Sequence, residues 1–337
     1  MTDISVREGP LHEGSLPEGG AAVSFSARCE SEDAGKRLDA VVSREVLELS
    51  RSEFSNRLLS LRVNGQSVTR RYRLRAGDKV EGEIAPRETA EPQAQNIGLD
   101  ILFENELVVV VNKPPGLVVH PGSGNHDGTL VSGLLYRFPE LASRFPDVER
   151  PGIVHRLDKD TSGVMIVARD AETAEMLKRQ FAAGRVRKRY VAVVKGAPPA
   201  SEGRVEGCIR RDPHHRKRFV WSEKEGKPSV SEYRVLARFS EVSVVGLAPK
   251  TGRTHQLRVH MKHLGCPIVG DTVYGRGAQR KEGMLLHAAR LSLKLPGEDE
   301  RRTFTAPFPE RLRNVLAEYD DRVTGEDPRW YESLLEW

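Results

Sequence analysis

Residues 151–169 carry the stretch Pro151-Gly152-Ile153-Val154-His155-Arg156-Leu157-Asp158-Lys159-Asp160-Thr161-Ser162-Gly163, followed by Val164-Met165-Ile166-Val167-Ala168-Arg169. A short apolar run gives way to two aspartates, a histidine, two cations and two hydroxyls, and an apolar strand then resumes. Such a polar loop set between buried strands is where reactive groups are commonly held. The residues alone leave a second reading open, in which Asp158 and Asp160 cap turns or pair with Arg156 and Lys159.

Working outward, the runs at 107–111, 163–168, 190–195, 232–237, 242–247 and 291–295, several of them Val-rich, read as strands. Residues 171–183 read as a helix with Asp170 as N-cap, Ala174, Leu177 and Phe181 on one face, and Gly184 as the stop. Strand and helix do not alternate regularly, so the expected class is α+β with a mostly antiparallel mixed sheet. Upstream, Leu38, Val41, Val42, Val46 and Leu49 recur at near-helical spacing, and Ser50-Arg51-Ser52-Glu53 offers a capping-box start for a second helix over SEFSNRLLS. An Asn64-Gly65 turn and the alternating run 79–84 follow. The expected organisation is a disordered tail at 1–34, a small helix-helix-hairpin module at 35–84, a Pro-containing linker at 85–98, a large domain at 99–318 and an acidic tail at 319–337.

The chain has 337 residues with 38% hydrophobic and 30% charged, and no apolar run long enough to span a bilayer, which excludes a helical membrane protein. The N-terminus lacks the apolar segment of a signal peptide. Three widely spaced cysteines exclude a disulfide framework and a cysteine-rich zinc site, so a reduced, cytoplasmic location is expected. The net charge of +5 hides an asymmetry. Residues 1–33 hold two basic and seven acidic side chains and residues 310–337 four and eight, whereas 35–84 hold eleven and seven and 184–227 thirteen and five. Two internal basic stretches, rich in arginine, point to a polyanionic partner.

A second polar loop, Lys250-Thr251-Gly252-Arg253-Thr254-His255-Gln256-Leu257-Arg258-Val259-His260-Met261-Lys262-His263, offers anion-binding arginines. Its histidines carry no Cys or HExxH companion, so no metal is expected. Arg187, Lys188 and Tyr190 set basic charge beside an aromatic, as phosphate contact and base stacking require. No Walker A or GxGxxG motif is present, so no nucleotide cofactor is expected.

The loop HRLDKDTSG, together with Asn112-Lys113-Pro114-Pro115-Gly116, Lys188-Arg189-Tyr190, the Gly252–His260 run, Gly270-Asp271-Thr272-Val273-Tyr274-Gly275 and Leu286-His287-Ala288, resembles the motifs of the RluA-type pseudouridine synthases, in order, over roughly residues 99–310. Residues 35–84, with Arg37-Leu38-Asp39, Ser50-Arg51-Ser52 and Val63-Asn64-Gly65, resemble an S4 RNA-binding module. The resemblance implies a monomeric, cofactor-free isomerase that converts uridine to pseudouridine in RNA. Large-subunit ribosomal RNA or its precursor is the favoured substrate and transfer RNA the runner-up. A non-catalytic RNA-binding or ribosome-assembly protein is the alternative from another class. The resemblance assigns Asp158 as nucleophile, Arg253 as its ion-pair partner and Tyr190 as the residue that stacks on the target base and helps remove its C5 proton. It assigns Arg156 to the space left by a flipped nucleotide and Leu257, His155 and Lys250 to the substrate pocket. Arg37, Arg51, Arg57, Arg187 and Lys188 are expected to contact RNA.

Overall fold

Contacts within the chain fall into two compact units, Met1–Ala90 and Glu91–Trp337. The structure, a computed structural model, describes residues 22–47, 49, 51–86, 92–122, 127–145, 150–215, 218–275, 282–318 and 334. The Ser50 cap, residues 87–91 of the expected linker, residues 1–21 of the expected N-terminal tail and all of the C-terminal one except Leu334 fall outside these residues.

The first unit is a four-stranded antiparallel sheet, β1 (Val23–Arg28), β2 (Leu58–Val63), β3 (Gln66–Ser67) and β4 (Lys79–Ile84), in the order β1-β4-β2-β3. It carries α1 (Leu38–Val41), which continues as a π-helical turn over Val42–Val46, and α2 (Arg51–Arg57). Asn64 and Gly65 both adopt positive φ, 51° and 80°, the geometry of a two-residue hairpin turn. Two expectations need correction. Residues 23–28 are not tail: Phe25 is buried and strand β1 pairs along its length with β4. The second helix also ends earlier than expected, at Arg57, because Leu58–Val63 gain a ladder partner in β4 that outweighs helix propensity.

The second unit is built on one mixed ten-stranded sheet. Its strands are β5 (Ile101–Glu104), β6 (Val108–Lys113), β7 (Ser162–Ala168), β8 (Arg187–Lys195), β9 (Glu202–Arg211), β10 (Phe219–Ser222), β11 (Lys227–Arg238), β12 (Val242–Pro249), β13 (Leu286–Lys294) and β14 (Arg301–Thr305). The order is β10-β9-β11-β12-β8-β13-β7-β6-β5, with β14 on β13, and every pair is antiparallel except β13 with β7. The helices are α3 (Leu130–Arg137), α4 (Leu141–Arg144), α5 (Ala171–Ala182), α6 (Gln256–His263) and α7 (Glu310–Ala317).

Both faces of this sheet are covered, which explains why its central strands read as continuous apolar runs. Val108, Val110, Val164 and Ile166 face α5 through Ala174 and Leu177, while the alternate residues Val109, Val111, Met165 and Val167 face α3 through Leu130, Val131 and Leu134. Farther along, α6 packs Leu257 and Met261 on Ala192, Val194 and Leu247, and α7 packs Leu312, Val315 and Leu316 on Val191, Val193 and Val244. Leu334, a residue of the expected acidic tail, is buried in this last cluster. Gln95 and Ile97, expected in the linker, lie against α3 instead. The Gln95 N–H donates to the Ser132 carbonyl, and Ile97 lies beside Gly133. The α5 cap is as expected, with Asp170 accepting from the Thr173 N–H at 2.8 Å.

Candidate active site

The HRLDKDTSG loop enters β7 at the sheet centre, where β7 meets β13 in parallel. Gly163 sits at φ 119°, and a Cβ there would lie 2.2 Å from the Ala288 carbonyl oxygen, so only glycine lets the two backbones cross behind the loop. In front of it opens a cavity of about 450 Å³, within the usual range of small-ligand sites, lined by the loop, by Lys188 and Tyr190 of β8 and by residues 249–258.

Asp158 is partly exposed to this cavity, its side chain 22% accessible, and its Oδ2 accepts from Arg258 Nη1 at 3.4 Å. Arg258 is nearly buried. Its Nε and Nη2 donate to the two carboxylate oxygens of Asp271 at 2.8 Å each, a bidentate pair. Asp271 Oδ1 also accepts from the N–H groups of Val273 and Tyr274, which fixes the carboxylate before Arg258 reaches it. Burial pushes the Asp271 carboxyl up, but Arg258 and these N–H groups outweigh it and hold the acid below the ordinary range. Burial likewise works against the Arg258 charge, and Asp271 with Asp158 more than restores it.

The expected ion pair between Arg253 and Asp158 is therefore corrected. Arg253 precedes α6, is exposed at the cavity rim and donates its Nε to the Pro228 carbonyl at 2.9 Å. Arg258 lies in the first turn of α6, facing the sheet centre, and takes the place at Asp158. The residue before α6, His255, is held in the left-handed region at φ 57°, with its Nδ1 on the Tyr274 hydroxyl at 2.9 Å. Phe219 N–H also donates to that hydroxyl, so the tyrosine links His255 to β10. Gln256 pins the loop from inside: its Oε1 accepts from Thr251 Oγ1 and the Arg253 N–H, and its Nε2 donates to the Val230 carbonyl.

Tyr190 lines the cavity floor. Burial, and then the charge of Asp158, push its phenol well above the usual tyrosine range, so it stays protonated at neutral pH. Leu257 and Leu286 supply apolar wall. His155 is part of the lining, but its Nε2 accepts from the Ile166 N–H and its ring stacks on Phe181 at 4.6 Å. Burial, with Lys188 nearby, pushes it down to about 3, so it is a neutral brace for the loop. Arg156 is exposed and donates through Nη1 to His120 Nε2 at 3.1 Å. Because His120 Nδ1 faces the Pro121 carbonyl at 2.9 Å, an acceptor only, Nδ1 carries the proton and Nε2 is free to accept from Arg156. Lys250 pairs with Glu232 at 2.7 Å on the rim. Lys188 donates to the Thr251 carbonyl, and burial lowers it to about 8.

Lys113 carries no role in the sequence reading, yet it is wholly buried beneath the loop. Its Nζ donates to the carbonyls of Pro114, Leu117 and Lys159 at 2.8–2.9 Å, tying Pro114–Leu117 to the residue after Asp158. Burial lowers it to about 7, against the opposing charges of Asp160 and Asp158. On the far side, Arg311 of α7 donates to the Asp160 carbonyl at 2.8 Å.

In the first unit, Arg37 and Arg51 both converge on Asp39, at 2.7 and 2.9 Å, with part of each guanidinium still exposed. Arg57 is turned inward, its side chain 11% accessible, on Glu53 and the Ala85 carbonyl. It ties α2 to the end of β4 and is not presented to RNA as expected. Arg187 is exposed on β8. Among the described residues no group of three or more His, Cys, Asp and Glu side chains is placed to hold a metal. His260 bonds Ser229, and His263 stacks on Trp221.

Residues 107–263 match the family described as RNA pseudouridylate synthase. A protein of Borreliella burgdorferi named ribosomal large subunit pseudouridine synthase D is 45% identical over 227 residues, 66% of this chain and 69% of its own length. One of the same name from Xanthomonas campestris pv. campestris is 39% identical over 300 residues, 84% of this chain and 89% of its own. Among solved structures, human RNA pseudouridylate synthase domain containing 1 superposes with a TM-score of 0.52 at 32% identity, covering 64% of this chain and 86% of that one.

Proposed function

The chain belongs to the RNA pseudouridylate synthase family, RluA type, and is an RNA pseudouridine synthase, an isomerase; from that premise we propose that it modifies large-subunit ribosomal RNA with Asp158 as nucleophile on a flipped-out uridine. The observation that carries this reading is Asp158, the one carboxylate among the described residues that lines the cavity, held on the buried Arg258–Asp271 pair.

The reaction breaks the bond between C1′ and uracil N1, joins C1′ to C5, and moves one proton from C5 to N1, with no net oxidation. A carboxylate attacking C1′ or C6 divides this into two easier steps. Arg258 supplies a fixed counter-charge that orients Asp158, and Asp271 prevents Arg258 from following Asp158 when the carboxylate forms its covalent bond. Tyr190, protonated and packed with Leu257 in the cavity lining, stacks on the detached uracil and keeps it in the cavity while it turns. The base is unreachable inside a helix, so the nucleotide swings out, and Arg156, reaching from the loop beside Asp158, occupies the vacated stack. Arg253 and Lys250 on the rim meet the RNA backbone. The 35–84 region serves as an S4-like RNA-binding module, with Arg37 and Arg51 among its contacts.

Asp158→Asn tests the assignment, because it keeps the size and removes the nucleophilic charge. Pseudouridine formation on large-subunit ribosomal RNA falls to background while RNA affinity and fold persist. Substantial residual turnover removes Asp158 from the role. Mapping pseudouridine in RNA from cells lacking the protein identifies the substrate, and sites lost only from transfer RNA would replace ribosomal RNA in the proposal.

A further inference from the structure

A second cavity, of about 560 Å³, adjoins the first and shares Gly184, Lys188, Pro249 and Lys250 with it. Its origin is a parting of strands. The ladder between β8 and β12 runs from Val242 opposite Lys195 to Leu247 opposite Tyr190 and stops there. Beyond that rung β8 continues only on β13, through Arg189, Lys188 and Arg187, while Ala248 and Pro249 of β12 continue only on β11. The gap opens immediately beyond Tyr190, the proposed stacking residue.

Six cations line this gap: Arg185, Arg187, Lys188, Arg189, Lys250 and Arg301. Among the described residues its lining holds no carboxylate. Lys250 has Glu232 outside the cavity. Arg301 donates to the carbonyls of Arg185 and Ser292, and Lys188 to that of Thr251, so both bond to neutral acceptors. No ion pair joins Arg185, Arg187, Lys188 or Arg301 to a carboxylate among the described residues. Burial without a counter-charge is what lowers Lys188 to about 8, and an anion placed beside it would restore the charge. A fold that gathers like charges in a concave site gains from doing so only when an anion fills it.

We propose that this cavity is a phosphate-binding subsite that seats the sugar-phosphate backbone of the substrate RNA next to the flipped uridine, with Lys188 shared between backbone and base. The inference rests on the RNA-modifying reading of the neighbouring cavity and adds where the strand runs. Arginine suits the task because its fork meets two phosphate oxygens at once. Backbone contacts of this kind fix register without reading sequence, so the subsite sets how the RNA lies across the sheet and leaves the choice of uridine to other contacts.

The test uses the full chain, an in vitro transcript of large-subunit ribosomal RNA, and the double substitution Arg185→Gln with Arg187→Gln. Both residues are exposed, and tryptophan-monitored unfolding matching the wild type verifies the fold. Losing two phosphate contacts lowers the log–log salt slope of RNA binding by about 1.4–1.8 and weakens binding roughly 25–60-fold at 0.1 M salt. KM follows that loss far more than kcat does, and Arg187→Lys, which keeps the charge, retains most of the slope. An unchanged slope with unchanged KM overturns the proposal. So does a double variant that loses binding of inorganic phosphate while its RNA slope stays at the wild-type value, which assigns the cavity to a free anion. Turnover is read separately: a wild type that binds the transcript yet makes no pseudouridine overturns the functional reading while the salt slopes still decide the subsite.

Discussion

Replacing Lys113 by Met separates the electrostatic cost of a buried cation from its bonding to the active-site loop. Lys113 is fully buried and its pKa falls from the ordinary lysine value to about 7, burial being the main cause. Between about pH 7 and 10.5 the unfolded chain holds a proton that the folded chain has released, so stability rises with pH across that window. At pH 6 nearly the whole gap counts, a penalty of about 4–5 kcal/mol; at pH 9 about 2 kcal/mol remains. Met keeps the length and removes the charge together with its penalty. It also leaves the Pro114 and Leu117 carbonyls without that donor, at up to about 1–3 kcal/mol each, whereas the Lys159 carbonyl keeps the Gly116 N–H at 2.9 Å. The two effects nearly cancel at pH 6, and the wild type gains about 2–3 kcal/mol over the variant on going to pH 9. Trp221, Trp330 and Trp337 all lie in the second unit, so denaturant unfolding followed by tryptophan fluorescence reads the right transition. Activity responds differently: Lys159 then keeps only the Gly116 N–H of its two ties to the 114–117 segment, Asp158 shifts from its position and kcat falls by about 10²-fold. A stability difference that does not change between pH 6 and pH 9 refutes the argument, because it means that Lys113 keeps the same charge in both states.

The two arginines of the second polar loop should part company. Arg258→Met suppresses kcat on every RNA, including one whose target uridine is already unpaired, while Arg253→Gln acts mainly on KM; single-turnover rates on a matched pair of RNAs decide it, and a larger kcat loss at Arg253 would restore the original pairing. Asp271→Asn breaks a buried bidentate pair and lowers the stability of the second unit by about 3–5 kcal/mol, with kcat falling alongside; a variant as stable as wild type would show that Arg258 does not depend on Asp271. Arg156→Ala costs more on a structured stem-loop than on a loosened one, since unstacking costs a few kcal/mol only when the base is stacked; equal losses on both would remove Arg156 from base flipping.

Sequence by itself determined the elements whose physics is local. The Val-rich runs became central strands because both faces of the sheet are covered, Asn64-Gly65 became a hairpin turn because both positions tolerate positive φ, and Asp170 capped α5 through a bond three residues away. The polar loop around Asp158 was legible as well, because charged residues between buried strands need a reason to be there. Tertiary structure alone decided which side chain meets which. Arg253 and Arg258 lie five residues apart with the same charge, and only the phase of α6 against the sheet sends one to the rim and the other to Asp158 and Asp271. Arg57 and Arg51 looked alike as basic residues of one module, and packing turned one inward. Lys113 had no sequence signal beyond its place in a motif, since its partners are three carbonyls from two distant segments. Strand β1 escaped notice because its partner, β4, lies about 50 residues downstream, and an edge strand declares itself only when the ladder it joins exists.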